Sequence, residues 1–166
     1  SRLGHPIWKR ALESHGIDPE TSRSIVREIG SSYVNWQESS FPGLLGNVVA
    51  GRISNRLDLR GTNCVVDAAC ASSLSAVHLS ILELASQKSD MVVTGGVDTL
   101  NDIFMHMCFT RSRILSPTGD IRPFSANADG TLLGEGVGIL VLKRYSDAVR
   151  DQDRVYAVIR GMGTSS

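Results

Sequence analysis

The stretch of sequence that decides the fold is Val65-Val-Asp-Ala-Ala-Cys70-Ala-Ser-Ser73. A β-rich run over 62–66 ends there, and Cys70 stands where a helix over 72–87 is predicted to begin. Unpaired N–H groups at a helix N-terminus favour a thiolate, and the small neighbouring residues leave the sulfur open to a substrate carbonyl. The Cys70 N–H could donate to an oxyanion formed at that carbonyl. The pattern predicts a nucleophile, with a buried core thiol as the alternative.

Apolar periodicity on both sides of this stretch predicts an α/β layered domain. Upstream, helical spacing occurs over 6–15, in a second helix capped by Asp18, and from Leu44 to Leu57. Because strands and helices alternate, we expect central strands that are covered on both faces. The longest irregular stretch, 110–136, has the length of a functional loop. The predicted strands are 62–66, 91–94 (closed by Gly95-Gly96), 137–142 and 155–159.

Composition narrows the class of protein. The 166 residues suffice for one domain, and 17 Lys+Arg balance 17 Asp+Glu to zero net charge. This balance argues against a binding partner, such as a nucleic acid or an anionic membrane, that is recognised through bulk charge. No apolar run approaches the ~20 residues that span a bilayer. The three cysteines form no disulfide framework, which indicates a reducing cytoplasm. The chain opens without Met, so we expect a piece of a longer protein.

Other chemistry-bearing residues fit structural roles better. Cys64 lies in a predicted apolar strand and Cys108 in a hydrophobic patch, so both are expected to be structural. The cysteines and histidines show no Cys-x-x-Cys or His-Glu-x-x-His spacing, which argues against a metal site. The glycines of 134–138 precede a strand and lack nucleotide-binding spacing, and Glu135 is expected to be paired structurally.

No histidine is placed to act as a base for Cys70. His78 follows eight residues later on the predicted helix, about 12 Å away at 1.5 Å rise per residue. A cysteine enzyme needs a base or an oxyanion donor in addition to its nucleophile. The residues alone therefore leave the catalytic set incomplete.

Several motifs, taken in order over roughly 41–166, resemble a β-ketoacyl synthase of the thiolase superfamily. They are Asp67 to Ser73, Gly95 to Val97, Arg122 to Phe124, Asp129-Gly130 and Gly134 to Gly138. Phe41 to Arg52 and Asn101 to Met105 are similar to ketosynthases of polyunsaturated fatty acid, heterocyst-glycolipid and enediyne-type iterative polyketide synthases. The resemblance implies the N-terminal half of a layered αβαβα fold. It divides the chain into a helical segment, 1–40, and a thiolase-like core, 41–166, truncated before the catalytic histidines.

The resemblance also implies roles. Cys70 would accept an acyl chain from a phosphopantetheine thiol and then be attacked by the carbanion of decarboxylated malonyl-carrier protein, with its N–H as one of two oxyanion donors. Asp129 and Phe124, on a loop near the pocket mouth, would contact or gate the substrate. The implied partners are acyl carrier protein, acyl and malonyl thioesters, and a second copy of the full-length protein in a cytoplasmic multidomain synthase. No resident metal or cofactor is implied, since the carrier delivers the phosphopantetheine.

The resemblance places the remaining machinery in later segments. The family's two histidines, supporting lysine and second oxyanion donor lie in His-Gly-Thr-Gly-Thr and Asn-x-Gly-His motifs, and neither motif occurs in this sequence. We therefore expect this piece to be acylated at most and not to condense. The alternatives are a thiolase-type enzyme that works without decarboxylation, and an inactive ketosynthase-like scaffold. The retained Cys70 argues against a chain-length-factor homologue.

Overall fold

The structure is a computed structural model that describes residues 4–165. The chain divides into two compact units, Ser1–Val48 and Val49–Ser166, and each is described by itself. The domain boundary predicted at 40–41 stays a prediction. Within residues 4–165, no helix has the length and apolar character needed to cross a bilayer.

The first unit contains a pair of packed helices, α1 (His5–Ser14) and α2 (Pro19–Ser31). The Asp18 side chain accepts hydrogen bonds from the N–H groups of Glu20 and Thr21, at 2.9 and 3.0 Å, and so caps α2. Both helices were predicted from spacing and cap, and both predictions are confirmed. Two short 3₁₀ turns follow, at Glu38–Ser40 and Pro42–Leu44.

The second unit is built on a helix packed against a two-stranded antiparallel sheet. The sheet pairs β1 (Met91–Asp98) with β2 (Gly136–Lys143). Helix α4 (Ser72–Ala85) packs on β1 and buries Val77 and Leu84. The remaining helices are α3 (Val48–Arg56), α5 (Ile103–Arg111) and α6 (Tyr145–Arg150).

The bounds of these elements confirm some predictions and shift others. The predicted helix after Cys70 and the predicted strand over 137–142 are present. The strand from Met91 does not close at Gly95-Gly96 but continues to Asp98. Its pairing with β2 continues through both glycines, and the close approach there excludes a side chain at Gly95, which would collide with the backbone of Gly138. The third helix begins at Val48, after the 3₁₀ turn started by Pro42, and not at Leu44.

Two predicted strands and the predicted coverage of the sheet are wrong. Residues 62–66 and 155–159 form no strand. Their composition favours extended backbone, but a strand requires a hydrogen-bonded neighbour, and β1 and β2 pair only with each other among residues 4–165. The strands are not covered on both faces either. Side chains of β2 such as Val137 and Val141 are 71% and 62% exposed.

Candidate active site

Cys70 lies on a sharp backbone turn at the start of α4. A 3₁₀ turn, Ala69–Ala71, holds the cysteine and leads directly into the helix at Ser72. Ala69 has φ +49°, in the left-handed region that residues with a Cβ rarely adopt and that costs roughly 1–3 kcal/mol. The cysteine is exposed, as the small neighbouring residues predicted.

Two side chains hold this strained turn. Asp67 Oδ1 accepts a hydrogen bond from the Ala69 N–H at 3.0 Å. Ser72 Oγ accepts from the Ala68 N–H at 2.9 Å and donates to the Ala69 carbonyl at 2.7 Å. Because these bonds bracket Ala69 on both sides, they over-determine its conformation, which is the condition for such strain to persist.

The backbone N–H of Cys70 is free to donate. Within residues 4–165 no hydrogen bond joins it to another group, whereas the N–H of Ala71 donates to the Ala68 carbonyl at 3.0 Å. The thiol and a free N–H therefore occupy one exposed turn. A carbonyl attacked by the sulfur would develop its negative charge within reach of that N–H, as in an oxyanion hole.

The sheet supports this turn through a glycine near the end of β1. A Cβ added at Gly96 of β1 would lie 2.8 Å from the Cβ of Ser73, in the first turn of α4. Real Cβ atoms do not approach each other so closely, so the helix reaches this height over the sheet only because residue 96 is glycine.

The long segment between α5 and β2 folds on itself around Asp129. Its carboxylate accepts hydrogen bonds from Thr118 Oγ1 at 2.7 Å and from Ser116 Oγ at 2.8 Å, with Arg122 Nη1 at 3.7 Å. The Thr118 bond first, then the Ser116 bond and the Arg122 charge, lower the pKa of Asp129 below its usual value. A bridge between Leu115 and Thr131 closes the segment.

Phe124 lies in the same loop with its side chain fully exposed and φ +61°. Arg122 stabilises the surrounding backbone, since it bonds Asp120 at 2.9 Å and the Asn127 carbonyl at 3.2 Å. No hydrogen bond or ion pair within residues 4–165 connects this loop with the Cys70 turn. The substrate-binding or gating roles of Asp129 and Phe124 stay predictions.

The core position predicted for Cys64 in a buried strand is wrong, and Cys108 is not buried either. Cys64 and Cys108 are both free and exposed. Cys64 lies in the segment 62–66, which was predicted to be a buried strand and is not a strand, and Cys108 lies on an exposed part of α5. Exposure alone does not distinguish Cys70, but its position on a strained turn at the start of α4 does.

The remaining candidate residues are accounted for structurally. Glu135 accepts a hydrogen bond from the Asn101 N–H at 2.9 Å, and Asn101 Nδ2 donates to the Gly134 carbonyl at 2.7 Å. The structural pairing predicted for Glu135 is confirmed, while the part played by Asn101 was missed. His78 lies within α4, downstream of Cys70. In the described part of the chain, no three His, Cys, Asp or Glu residues group as a metal site would require.

The arrangement defines a class of protein. A cysteine on a strained turn, opening a helix that packs on a sheet, is typical of α/β proteins that use a nucleophile at a helix N-terminus. Residues 1–148 match the family model "Beta-ketoacyl synthase, N-terminal domain". The chain belongs to the β-ketoacyl synthase family.

Relatives within the family include fatty acid and polyketide synthases. The chain is 46% identical over its whole length to one subunit of the polyunsaturated fatty acid synthase from Thraustochytrium sp.. It is 41% identical, over 96% of its length, to probable polyketide synthase 33 of Dictyostelium discoideum. It spans only 6% and 5% of these two proteins.

Solved ketosynthases share the fold. The ketosynthase from module 6 of the bacillaene synthase of Bacillus subtilis 168 matches with a TM-score of 0.63 and 38% identity, over 66% of this chain and 20% of that one. The oxazolomycin ketosynthase domain OzmH KS7 of Streptomyces albus JA3453 matches with a TM-score of 0.61 and 33% identity, over 65% and 19%. The predicted thiolase-like α/β class is confirmed, and this chain covers part of that fold.

Proposed function

We propose that Cys70 is the acyl-accepting nucleophile of a ketosynthase that extends fatty acyl or polyketide chains. The observation that carries the proposal is the coincidence of an exposed thiol and a free N–H on one strained turn. The family membership and the ketosynthase relatives support it independently.

In the first half-reaction, which this geometry supports, an acyl group is transferred to Cys70. The Cys70 thiolate attacks the carbonyl carbon of an acyl thioester, a C–S bond forms, and the carbonyl electron pair moves to oxygen. The Cys70 N–H donates to that oxyanion, which lowers the barrier by preorganised electrostatics. When the carbonyl re-forms, the C–S bond to the donor breaks, and the donor leaves as a thiolate that takes up a proton. The acyl chain is then a thioester on Cys70.

The second half-reaction uses the thioester as an electrophile. The bond between the α-carbon and the free carboxylate of a malonyl thioester breaks, carbon dioxide leaves, and the bonding electron pair stays on the α-carbon as a carbanion. The carbanion attacks the acyl carbonyl on Cys70, a C–C bond forms, and Cys70 leaves as a thiolate. His78 lies eight residues after Cys70 on the following helix, a rise of about 12 Å, which is too far for it to act as a base in this step. We therefore expect the 166-residue chain by itself to be acylated but not to condense.

The proposal includes partners and location. Acyl carrier protein would present acyl and malonyl groups on phosphopantetheine, which is substrate and not a resident cofactor. We expect the full-length protein to be a homodimeric 3-oxoacyl-carrier-protein synthase in the cytoplasm. The exposed free cysteines support a reducing compartment.

Acylation of the full-length protein tests this function. The protein is incubated with an acyl-N-acetylcysteamine thioester, and its cysteine peptides are read by mass spectrometry. We expect the acyl mass at Cys70, its loss in Cys70→Ala, and its retention in the matched controls Cys64→Ala and Cys108→Ala. Equal, slow labelling of all three cysteines would instead support an inactive scaffold.

A second measurement separates condensation from thiolase chemistry. The acylated protein is supplied with malonyl-carrier protein labelled at its free carboxyl carbon. Release of labelled carbon dioxide together with a 3-oxoacyl product supports decarboxylative condensation. A 3-oxoacyl product formed from acetyl thioester without carbon dioxide would support the thiolase-type alternative.

A further inference from the structure

The Ala69–Cys70 peptide unit contains both the carbonyl that Ser72 binds and the N–H proposed as oxyanion donor. A trans peptide is planar, and its C=O and N–H point in opposite directions. The Ser72 hydroxyl donates to the Ala69 oxygen at 2.7 Å, and the Ser72 backbone N–H donates to the same oxygen. Fixing that oxygen therefore fixes the direction of the Cys70 N–H.

The hydroxyl of Ser72 is itself held in one orientation. Its oxygen accepts a hydrogen bond from the Ala68 N–H at 2.9 Å, so its own hydrogen is left to point at the Ala69 carbonyl. One side chain thus bonds the Ala68 N–H and the Ala69 carbonyl, which flank the left-handed φ of +49° at Ala69 that would otherwise relax. Asp67 holds only the Ala69 N–H.

We infer that Ser72 is a positioning residue, whose hydroxyl aims the Cys70 N–H at the oxygen of the acyl thioester during attack. This inference rests on the proposed function. It assigns the hydroxyl a role in the step that develops negative charge on oxygen, and none in the nucleophilicity of the sulfur.

Two reactions of the same thiol separate these roles. Acylation forms an oxyanion and needs the donor. Alkylation by iodoacetamide forms an S–C bond with loss of iodide, and no oxyanion develops. Removing the hydroxyl should therefore slow acylation of Cys70 much more than its alkylation. Removal of a whole oxyanion donor costs about 10²–10³ in rate, so a misaimed donor should cost about ten- to a hundredfold.

The experiment compares Ser72→Val with Ser72→Thr in the full-length protein, because Val and Thr share shape and branching and differ in the hydroxyl. We expect Ser72→Val to lose about ten- to a hundredfold in acylation rate and less than about threefold in alkylation rate. Ser72→Thr should retain most of the acylation rate. Ser73→Ala is the matched control, since the Ser73 hydroxyl makes no hydrogen bond within residues 4–165.

The outcomes distinguish this inference from the proposed function. If the unsubstituted protein is not acylated at Cys70, the proposed function fails and the inference fails with it. If it is acylated and Ser72→Val is acylated equally fast, the inference alone is overturned. Equal losses in acylation and alkylation also overturn it, because Ser72 would then only hold the thiol in place. Ser72→Ala is measured as a second hydroxyl-free variant, and unfolding of both variants would show that Ser72 is structural.

Discussion

Gly96 of β1 lies so close to Ser73 of α4 that a Cβ at position 96 would come within 2.8 Å of the Cβ of Ser73. The contact joins β1, near its end, to the first turn of the helix that begins just after Cys70. A rigid contact between backbone and Cβ cannot yield by rotating a side chain. The height of the cysteine turn over the sheet is therefore set by the absence of a side chain at Gly96.

The first prediction follows from this contact. Gly96→Ala should displace the start of α4, lower the acylation rate of Cys70 by at least about tenfold, and destabilise the protein by about 1–3 kcal/mol. Gly138→Ala is the matched control, because Gly138 pairs with Gly96 across the sheet and a Cβ there meets open space. Acylation rates and melting temperatures measure both effects. Equal effects of the two substitutions would contradict the steric account.

The second prediction concerns the other end of α4, where Arg144 joins three segments. Its guanidinium donates to the carbonyls of Leu84 and Ser89 at 3.0 and 2.7 Å, and to carboxylates of Asp90 and Asp147. Arg144→Lys keeps the charge but cannot reach all four acceptors, because an ammonium is a point donor and a guanidinium a planar fork. We expect the melting temperature to fall by at least about 5 °C.

The control for Arg144 is Arg150→Lys on the neighbouring helix, α6. Arg150 is 66% exposed and bonds only carboxylates. Exposed ion pairs contribute little to stability, so this substitution should leave the melting temperature nearly unchanged. A similar loss in both variants would contradict the role assigned to the carbonyl bonds of Arg144, because Arg150 makes no such bonds.

These cases show which features were readable from sequence. Helices α1, α2 and α4 follow from local spacing and local caps such as Asp18, so they could be predicted without knowing any tertiary contact. The segment 62–66 has strand composition but pairs with no strand among residues 4–165, and strand pairing is a property of the whole chain. Cys70 could be predicted as a nucleophile from the small residues beside it and from the helix predicted to begin just after it. The role of Ser72 could not be read, because it depends on the backbone conformation of Ala69.

The third prediction is a pH dependence carried by Asp129. Hydrogen bonds from Thr118 and Ser116 lower the pKa of Asp129 in the folded state below its ordinary value of 3.8. The carboxylate therefore contributes stability above pH 4, and this contribution is lost as the pH falls through the folded-state pKa. Asp129→Asn should melt at a lower temperature than the unsubstituted protein at pH 7, and the difference should shrink between pH 5 and about 3.

Asp98→Asn is the control for this pH series, since the Asp98 side chain makes no hydrogen bond or ion pair within residues 4–165. Its melting temperature should follow that of the unsubstituted protein at every pH. A difference between Asp129→Asn and the unsubstituted protein that stays constant down to pH 3 would contradict the role of the Asp129 carboxylate.

The fourth prediction concerns the apolar surface that the second unit leaves open. On β2, Val137, Ile139 and Val141 are 71%, 52% and 62% exposed, and Leu74 and Leu82 of α4 are 64% and 51% exposed. Alternate residues of a strand share a face, so the three side chains of β2 form a row of apolar surface, and such surface drives association in water. The 166-residue chain by itself should therefore elute as heterogeneous aggregates in size-exclusion chromatography with light scattering, and should bind an environment-sensitive dye such as ANS.

Val137→Thr with Val141→Thr should reduce dye binding, whereas Val34→Thr, at an exposed apolar side chain of the first unit, should not. A monodisperse preparation that melts cooperatively without binding the dye would contradict this prediction.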